Sequence, residues 1–212
     1  MIPQEVRGLI VAEKSISVTN LINGTTRLQP VVMQIGQAAG ALAALAVNKG
    51  VDVKNVPVRD VQEAILNASG YLLPYLDVPV SDPMFRILQR IGATGILQGK
   101  GMNVGWTNQT WINADSVLNK AGFEQGFKAY YPAADFSAVS ETPSLKEVVE
   151  LLQAQGAQMN NVETDWKEAG LGEYAPEKVM TRAQFAWMVD KYLDPFHAVA
   201  VDITGQLTPD KK

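Results

Sequence analysis

Gly36 and Gly40 stand four residues apart inside "TTRLQPVVMQIGQAAGALAALAVNKG", residues 25–50, a stretch of small and aliphatic side chains that reads as one long helix. A glycine costs a helix interior about 1 kcal/mol relative to alanine, so two of them in one helix need a reason. One reason is close approach of a neighbouring backbone. The other is chemistry. A helix N-terminus near Gln34, Gly36, Gln37, Ala38 and Gly40, with free amides and a partial positive charge, can lie against an electron-rich ligand that any larger side chain would push away. Periodicity leaves both readings open.

The remaining reactive residue types are sparse. The chain holds no cysteine and one histidine, which removes disulfides, thiolate nucleophiles and every multi-histidine metal site. His197 follows "LDPF" with no serine, cysteine or paired carboxylate at a recognisable motif spacing, so no catalytic residue is assigned. Asp77, Asp82, Asp115, Glu163 and Asp165 lack the spacing of a calcium loop and read as helix caps and solvated turns. No metal site is expected. Tryptophan is the other candidate, because an exposed indole stacks on the apolar face of a sugar. Trp187 falls in the apolar stripe of Phe185, Met188, Val189 and Tyr192 and reads as core. Trp106, Trp111 and Trp166 fall in stretches read as loops, where they are candidates for ligand contact.

These residues need elements to hold them. The 212 residues carry a net charge of −4, with 47% hydrophobic and 19% charged residues, a composition that supports one large core or two small ones. Scattered lysine and arginine give no footprint for nucleic acid or for an anionic membrane. The apolar run 31–47 is broken by Gln34 and Gln37 and is rich in alanine and glycine, so it reads as a buried helix rather than a membrane span. Before it comes a short strand, Leu9, Ile10 and Val11; after it comes a helix over "VPVRDVQEAILNASG" with Val58, Val61, Ile65 and Leu66 on one face. The organisation expected is 1–70, a linker at 71–82, helical repeats over 83–205 and a polar tail at 206–212.

The repeats show in the second part. "PMFRILQRIGATG" and "PSLKEVVELLQAQG" are both amphipathic helices that follow a proline and close on glycine. Further on, Val117, Lys120, Ala121, Phe123 and Tyr130 align without gaps on Val179, Arg182, Ala183, Phe185 and Tyr192. Thr181 and Gln184 form a capping box, and Asn119 is positioned to cap the first copy.

The N-terminal stretch resembles the C-terminal end of the cofactor domain in FAD-dependent oxidoreductases of the Bacteroidetes type often described as xanthan lyases. Arg27, Pro30, Gly36, Gln37, Ala38, Ala39 and Gly40 match that family's R-x-x-P segment and G-Q-A-A-G helix. The resemblance implies that Arg27, Gln34, Gly36, Gln37, Ala38 and Gly40 belong to the flavin site of a parent enzyme. Glu13 stands where that family's strand commonly ends in glycine, and the G-x-G-x-x-G fingerprint following an N-terminal strand is absent. The expectation is a C-terminal fragment of a flavoprotein that is catalytically silent by itself and binds no FAD alone.

The later half resembles S-layer homology modules. Its "TRAQFAWMVDKYL" is close to the T-R-A-E-F helix start of that family, with Thr181, Arg182, Ala183, Gln184 and Phe185 matching and Asn119, Lys120, Ala121 and Phe123 as a degraded first copy. The resemblance implies a role for Arg182 in ligand binding, an extracytoplasmic location, and polysaccharide as a partner. The fold expected is therefore mainly α: two helix–loop–helix repeats with short strands, preceded by a strand and helix left from an α/β domain. Partners expected are the rest of the flavoprotein or a second copy through the N-terminal strand and helix. A polysaccharide- or protein-binding module without catalysis is the alternative function.

Overall fold

The computed structural model describes residues 1–208 and is mainly α. The chain forms two compact units: Met1–Gly70 joined by the stretch that begins at Ala200, and Tyr71–Val199. Residues 71–82 are built into the second unit, and the described residues beyond Val199 belong to the first.

In the first unit the expected strand at Leu9, Ile10 and Val11 does not form; these residues are irregular, with one backbone bond from Val11 to the Met1 carbonyl at 2.8 Å. A strand needs a partner to satisfy its backbone, and none of the described residues supplies one. The long helix also divides. Thr19 caps α1, Asn20–Thr26, by accepting from the Ile22 amide. The chain then turns at Arg27 and Leu28 before α2, Gln29–Lys49, which has Pro30 in its first turn and ends on Gly50 in the left-handed conformation, φ 63°. Proline at the first positions of a helix and glycine just past its end are the ordinary start and stop signals. Helix α3, Val58–Asn67, packs on α2 as the sequence pattern requires. Leu42, Ala46, Val53 and Val56 form the core, with Ile2, Ile10, Leu45 and Val61 against them. Part of the stretch read as a polar tail is paired. Ala200–Val201, strand β3, pairs antiparallel with Leu207–Thr208, strand β4. Residues 209–212 of that tail lie outside the described residues.

The second unit holds both stretches that the sequence pattern aligns. Helix α4, Phe85–Thr94, and helix α6, Leu145–Ala154, are the two proline-led helices. The second copy of the aligned motif gives α8, Arg182–Tyr192, with the Thr181–Gln184 capping box formed in both directions. The first copy differs: Asn119 caps only a 3-10 turn, and α5, Glu124–Tyr130, begins at the residue after Phe123. The two copies meet through their motifs, with Val117 bridged antiparallel to Thr181 and the Leu118 amide bonded to the Met180 carbonyl at 2.8 Å. Phe123 stacks on Phe185 at 4.4 Å and Phe136 at 5.6 Å, which centres the core where the copies join.

Two buried polar side chains fix loops onto this core. Gln89 on α4 is fully buried, and its Oε1 accepts from the Leu72 and Leu73 amides at 2.8 Å while its Nε2 donates to the Leu73 carbonyl at 2.9 Å. Gln89→Leu strands two amides and a carbonyl, so a loss of about 2–3 kcal/mol is expected in denaturant unfolding. Glu147 accepts from the amides of Ser140 at 2.7 Å and Ser144 at 2.6 Å. Burial raises its pKa, but these bonds and those from the two serine hydroxyls outweigh it and hold the carboxyl down from 4.5 to about 2. A carboxylate depressed in the folded state contributes stability that is complete above 4.5 and is lost as the pH falls toward 2. Glu147→Gln is expected to lower stability at neutral pH by about 1–2 kcal/mol, after allowance for its partial solvent exposure, and to flatten the acid limb of the stability profile.

Candidate functional site

In the first unit the residues of interest lie on α2. From Gln29 to Asn48 it carries no charged side chain, over five turns. One face packs inward through Leu42 and Ala46. The opposite face is open: Met33 is 74% and Val47 80% exposed, and between them Gly36, Gly40 and Ala44 follow at helical spacing. A methyl group built on Gly36 or Gly40 meets no atom within 4 Å. These glycines therefore do not serve packing of the described chain against itself, which corrects the buried-helix reading of 31–47. By length and composition alone α2 is long and apolar enough to cross a membrane, and 11% of its most apolar window is buried.

The start of the helix corrects the amide reading as well. With α2 beginning at Gln29, the amides at Gln34, Gly36, Gln37, Ala38 and Gly40 lie one or more turns inside, where they are bonded to carbonyls of the preceding turn. What these positions offer a ligand is space and an uncharged surface. Gly36 and Gly40 share the open face. Gln37 reaches toward Gly70, where its Nε2 would stand 2.9 Å from an added Cβ. Ala38 turns to the other side and lines a groove with Leu42. Arg27 is exposed in the turn between α1 and α2.

Where glycine does serve close packing is in the second unit. An added Cβ on Gly126 would meet the Gly95 carbonyl oxygen and stand 2.7 Å from Ile96 Cα, and one on Gly99 would stand 2.5 Å from the Tyr75 ring. Residues 1–65 match the family model of FAD dependent oxidoreductases. The matched segment contains α1, α2 and most of α3, so it includes the whole open face. No curated protein and no solved structure matches the chain.

The second unit holds the other candidates. Strands β1, Lys100–Val104, and β2, Thr107–Trp111, form a hairpin. Its two-residue turn has Gly105 at φ 58° and Trp106 at an ordinary φ, the pattern of a type II′ turn. Trp106 at the tip is 104% exposed. Trp111, at the base, is half-buried and donates from Nε1 to Gln109 Oε1 at 3.0 Å. Trp166 is not a loop residue: it lies in α7, Val162–Glu168, is buried, and donates to the Gly172 carbonyl at 3.1 Å. It stacks edge-on against Trp187 at 6.2 Å, so ligand contact at Trp166 is ruled out by its burial, and Trp187 is core as its stripe implied. Only the helical spacing of Val162, Trp166 and Ala169 marks this short helix in the sequence.

Arg182 sits between the two ends of the hairpin. Its Nε donates to the Ile112 carbonyl and its Nη2 to the Gln98 carbonyl, both at 2.8 Å. Asp77 holds the same base by accepting from the Ile112 and Asn113 amides at 3.0 and 2.6 Å. Burial lowers the Arg182 pKa from its ordinary value, with Tyr75 and Asp77 acting in the opposite sense; burial also pushes Tyr75 up to about 12. The third nitrogen, Nη1, faces a polar pocket of about 220 Å³ lined by Gly95, Gln98, Gly122, Gln125 and Gly126. Lys120, the residue aligned with Arg182, instead donates to the carbonyls of Phe136 at 2.8 Å and Val139 at 3.1 Å. His197 Nδ1 lies 2.8 Å from Asp194 Oδ1. Among the described residues no group of three or more metal-ligating side chains forms.

Proposed function

We propose that this chain is the C-terminal part of an FAD-dependent oxidoreductase, and that the open face of α2 is where the flavin and the remainder of its domain lie in the parent enzyme. The observation that carries this reading is the uncharged, unobstructed surface at Gly36 and Gly40 inside the matched segment. That surface fits the flat, uncharged part of a flavin and not its pyrophosphate, since no charged side chain occurs from Gln29 to Asn48. The bound cofactor supplies the redox chemistry. The chain's own residues supply a close, water-excluding wall: Gly36 and Gly40 by their missing side chains, Met33 and Val47 as its apolar ends. Arg27, Gln34 and Gln37 flank it. The chain carries no G-x-G-x-x-G fingerprint for the pyrophosphate and by itself is expected to be catalytically silent.

The experiment supplies the missing part in trans. A flavin-binding N-terminal portion of a protein of this family, with its own dinucleotide fingerprint, is co-expressed with the chain, and flavin absorbance is read after co-purification. Retained flavin supports the reading; co-purification without flavin, or no association, counts against it.

The pocket beside Arg182 favours a second reading for the Tyr71–Val199 unit, that of an S-layer-homology-like module binding polysaccharide outside the cytoplasm. A guanidinium with two nitrogens spent on the hairpin and one beside polar space is poised to donate to a carboxylate or hydroxyl oxygen. Glycan pull-down should lose signal on Trp106→Ala or Gln125→Ala, and unchanged retention in both would remove this reading.

A further inference from the structure

Hairpin β1–β2 has one edge occupied and one open. On the outer side of β2 the Leu76 amide donates to the Thr110 carbonyl at 3.0 Å, and Tyr75 bridges Thr110 in parallel. That bond fixes the phase of the hairpin. Thr110 turns its backbone polar groups away from β1, so Gly101, its partner in register, turns its own away from β2. Asn103, opposite Asn108, does the same two residues on. All five residues of β1 are exposed, and among the described residues no hydrogen bond reaches the outward backbone groups of Gly101 and Asn103. An edge of this kind is ordinarily blunted by proline, by a bulge or by charge. β1 has no proline, an unbroken register and a single lysine at its base, and an added Cβ on Gly101 meets nothing within 4 Å.

We propose that the β1 edge is a homodimer interface, in which two copies of the chain pair β1 antiparallel about a two-fold axis at Met102. Symmetry and charge select a second copy as the occupant. Gly101 and Asn103, which carry the outward groups, lie on either side of Met102, so the axis sets Gly101 opposite the partner's Asn103 and each outward amide meets a carbonyl. The same register brings Met102 against the partner's Met102 as a non-hydrogen-bonded pair, about 4.5 Å apart at Cα. Val104 falls opposite the partner's Lys100. Met102 and Val104 are 40% and 44% exposed, and pairing covers both. Lys100 is the only charged residue in 98–113, and the antiparallel register keeps the two lysines at opposite ends of the shared sheet. Parallel pairing would set them side by side, where like charges repel. A five-residue edge buries less than the roughly 1,200 Å² at which stable interfaces begin, so the dimer fills only as protein concentration rises.

The test is sedimentation velocity of the full chain from about 10 μM to about 1 mM, the range in which so small an interface associates. The expected result is a monomer that passes to dimer and no further, with hydrogen exchange of the Gly101 and Asn103 amides slowing as the dimer fills. Asn103→Pro removes an outward donor while leaving the ladder to β2 intact, and Met102→Glu sets two carboxylates face to face at the axis. Each is expected to weaken association about tenfold or more, with circular dichroism unchanged. Mixing Met102→Glu with Met102→Lys should restore it, because opposite charges then meet at the axis. The proposal is overturned by a chain that stays monomeric to the top of the range, as it would if this edge took some other extended strand. A dimer that both single variants leave intact, growth beyond dimer, or a mixture no stronger than its components would overturn it equally. None of these outcomes bears on flavin binding, which concerns α2 in the other unit.

Discussion

Replacing Gly126 by alanine is expected to destabilise the second unit by about 3 kcal/mol or more, because the added methyl meets backbone rather than a movable side chain. The helix α5 approaches the turn after α4 so closely that the Gly95 carbonyl and Ile96 Cα, at 2.7 Å, occupy the space. Neither can shift without moving the end of α4, which Gln89 and the core hold in place. The same substitution at Gly36 or Gly40 should act oppositely. With nothing within 4 Å, alanine there gains helix propensity and should raise stability by up to about 1 kcal/mol per site. Thermal or urea unfolding of the three single variants checks both signs at once.

The second large effect concerns Arg90 and Asp190, which join α4 to α8. Their side chains are 20% and 7% exposed and they form an ion pair. The pair is incompletely served: Arg90 Nε and Asp190 Oδ1 are buried without hydrogen-bond partners. Burial raises the Asp190 pKa, and Arg90 works against that rise. Arg90→Met leaves a buried, uncompensated carboxylate and is expected to cost about 3–5 kcal/mol. The double variant Arg90→Met with Asp190→Leu should recover most of that loss, because an apolar pair of similar volume carries no desolvation cost. The pH dependence has a definite sign. A carboxyl whose folded pKa lies above its unfolded value binds its proton more tightly in the folded state, so its contribution improves as the pH falls through the folded value. Arg90→Met alone should therefore gain stability on mild acidification, opposite to the acid limb set by Glu147. Unfolding free energies of the single and double variants across pH give the comparison.

The elements that were legible in the sequence are those with strong local signals. The capping box at Thr181 and Gln184, the amphipathic faces of α3, α4 and α6, and the motif pair that joins the two copies follow from spacing that any chain of this pattern must satisfy. What escaped depends on partners distant in sequence. The apolar run at Leu9, Ile10 and Val11 has strand chemistry but, among the described residues, no strand to pair with. The break at Arg27 and Leu28 places Gln34, Gly36, Gln37, Ala38 and Gly40 inside α2, although composition alone makes 25–50 continuous. Trp166 has the same residue type as Trp106 and the opposite exposure, which is decided by Trp187 and Tyr174 across the core. Arg182 was singled out by motif, but its two bonds to the hairpin ends, 70 and 84 residues away, could not be read from spacing. The open face at Gly36 and Gly40 is the converse case, since an absence of neighbours has no signature in sequence.

The role given to that face is tested most directly by flavin retention in the complemented protein. When the chain and a fingerprint-bearing flavoprotein portion are co-purified, the wild type should keep its flavin. Gly40→Leu, which fills the open space while leaving α2 helical and the chain stable, should release it. Flavin retained equally by wild type and Gly40→Leu would contradict the assignment of this surface to the cofactor.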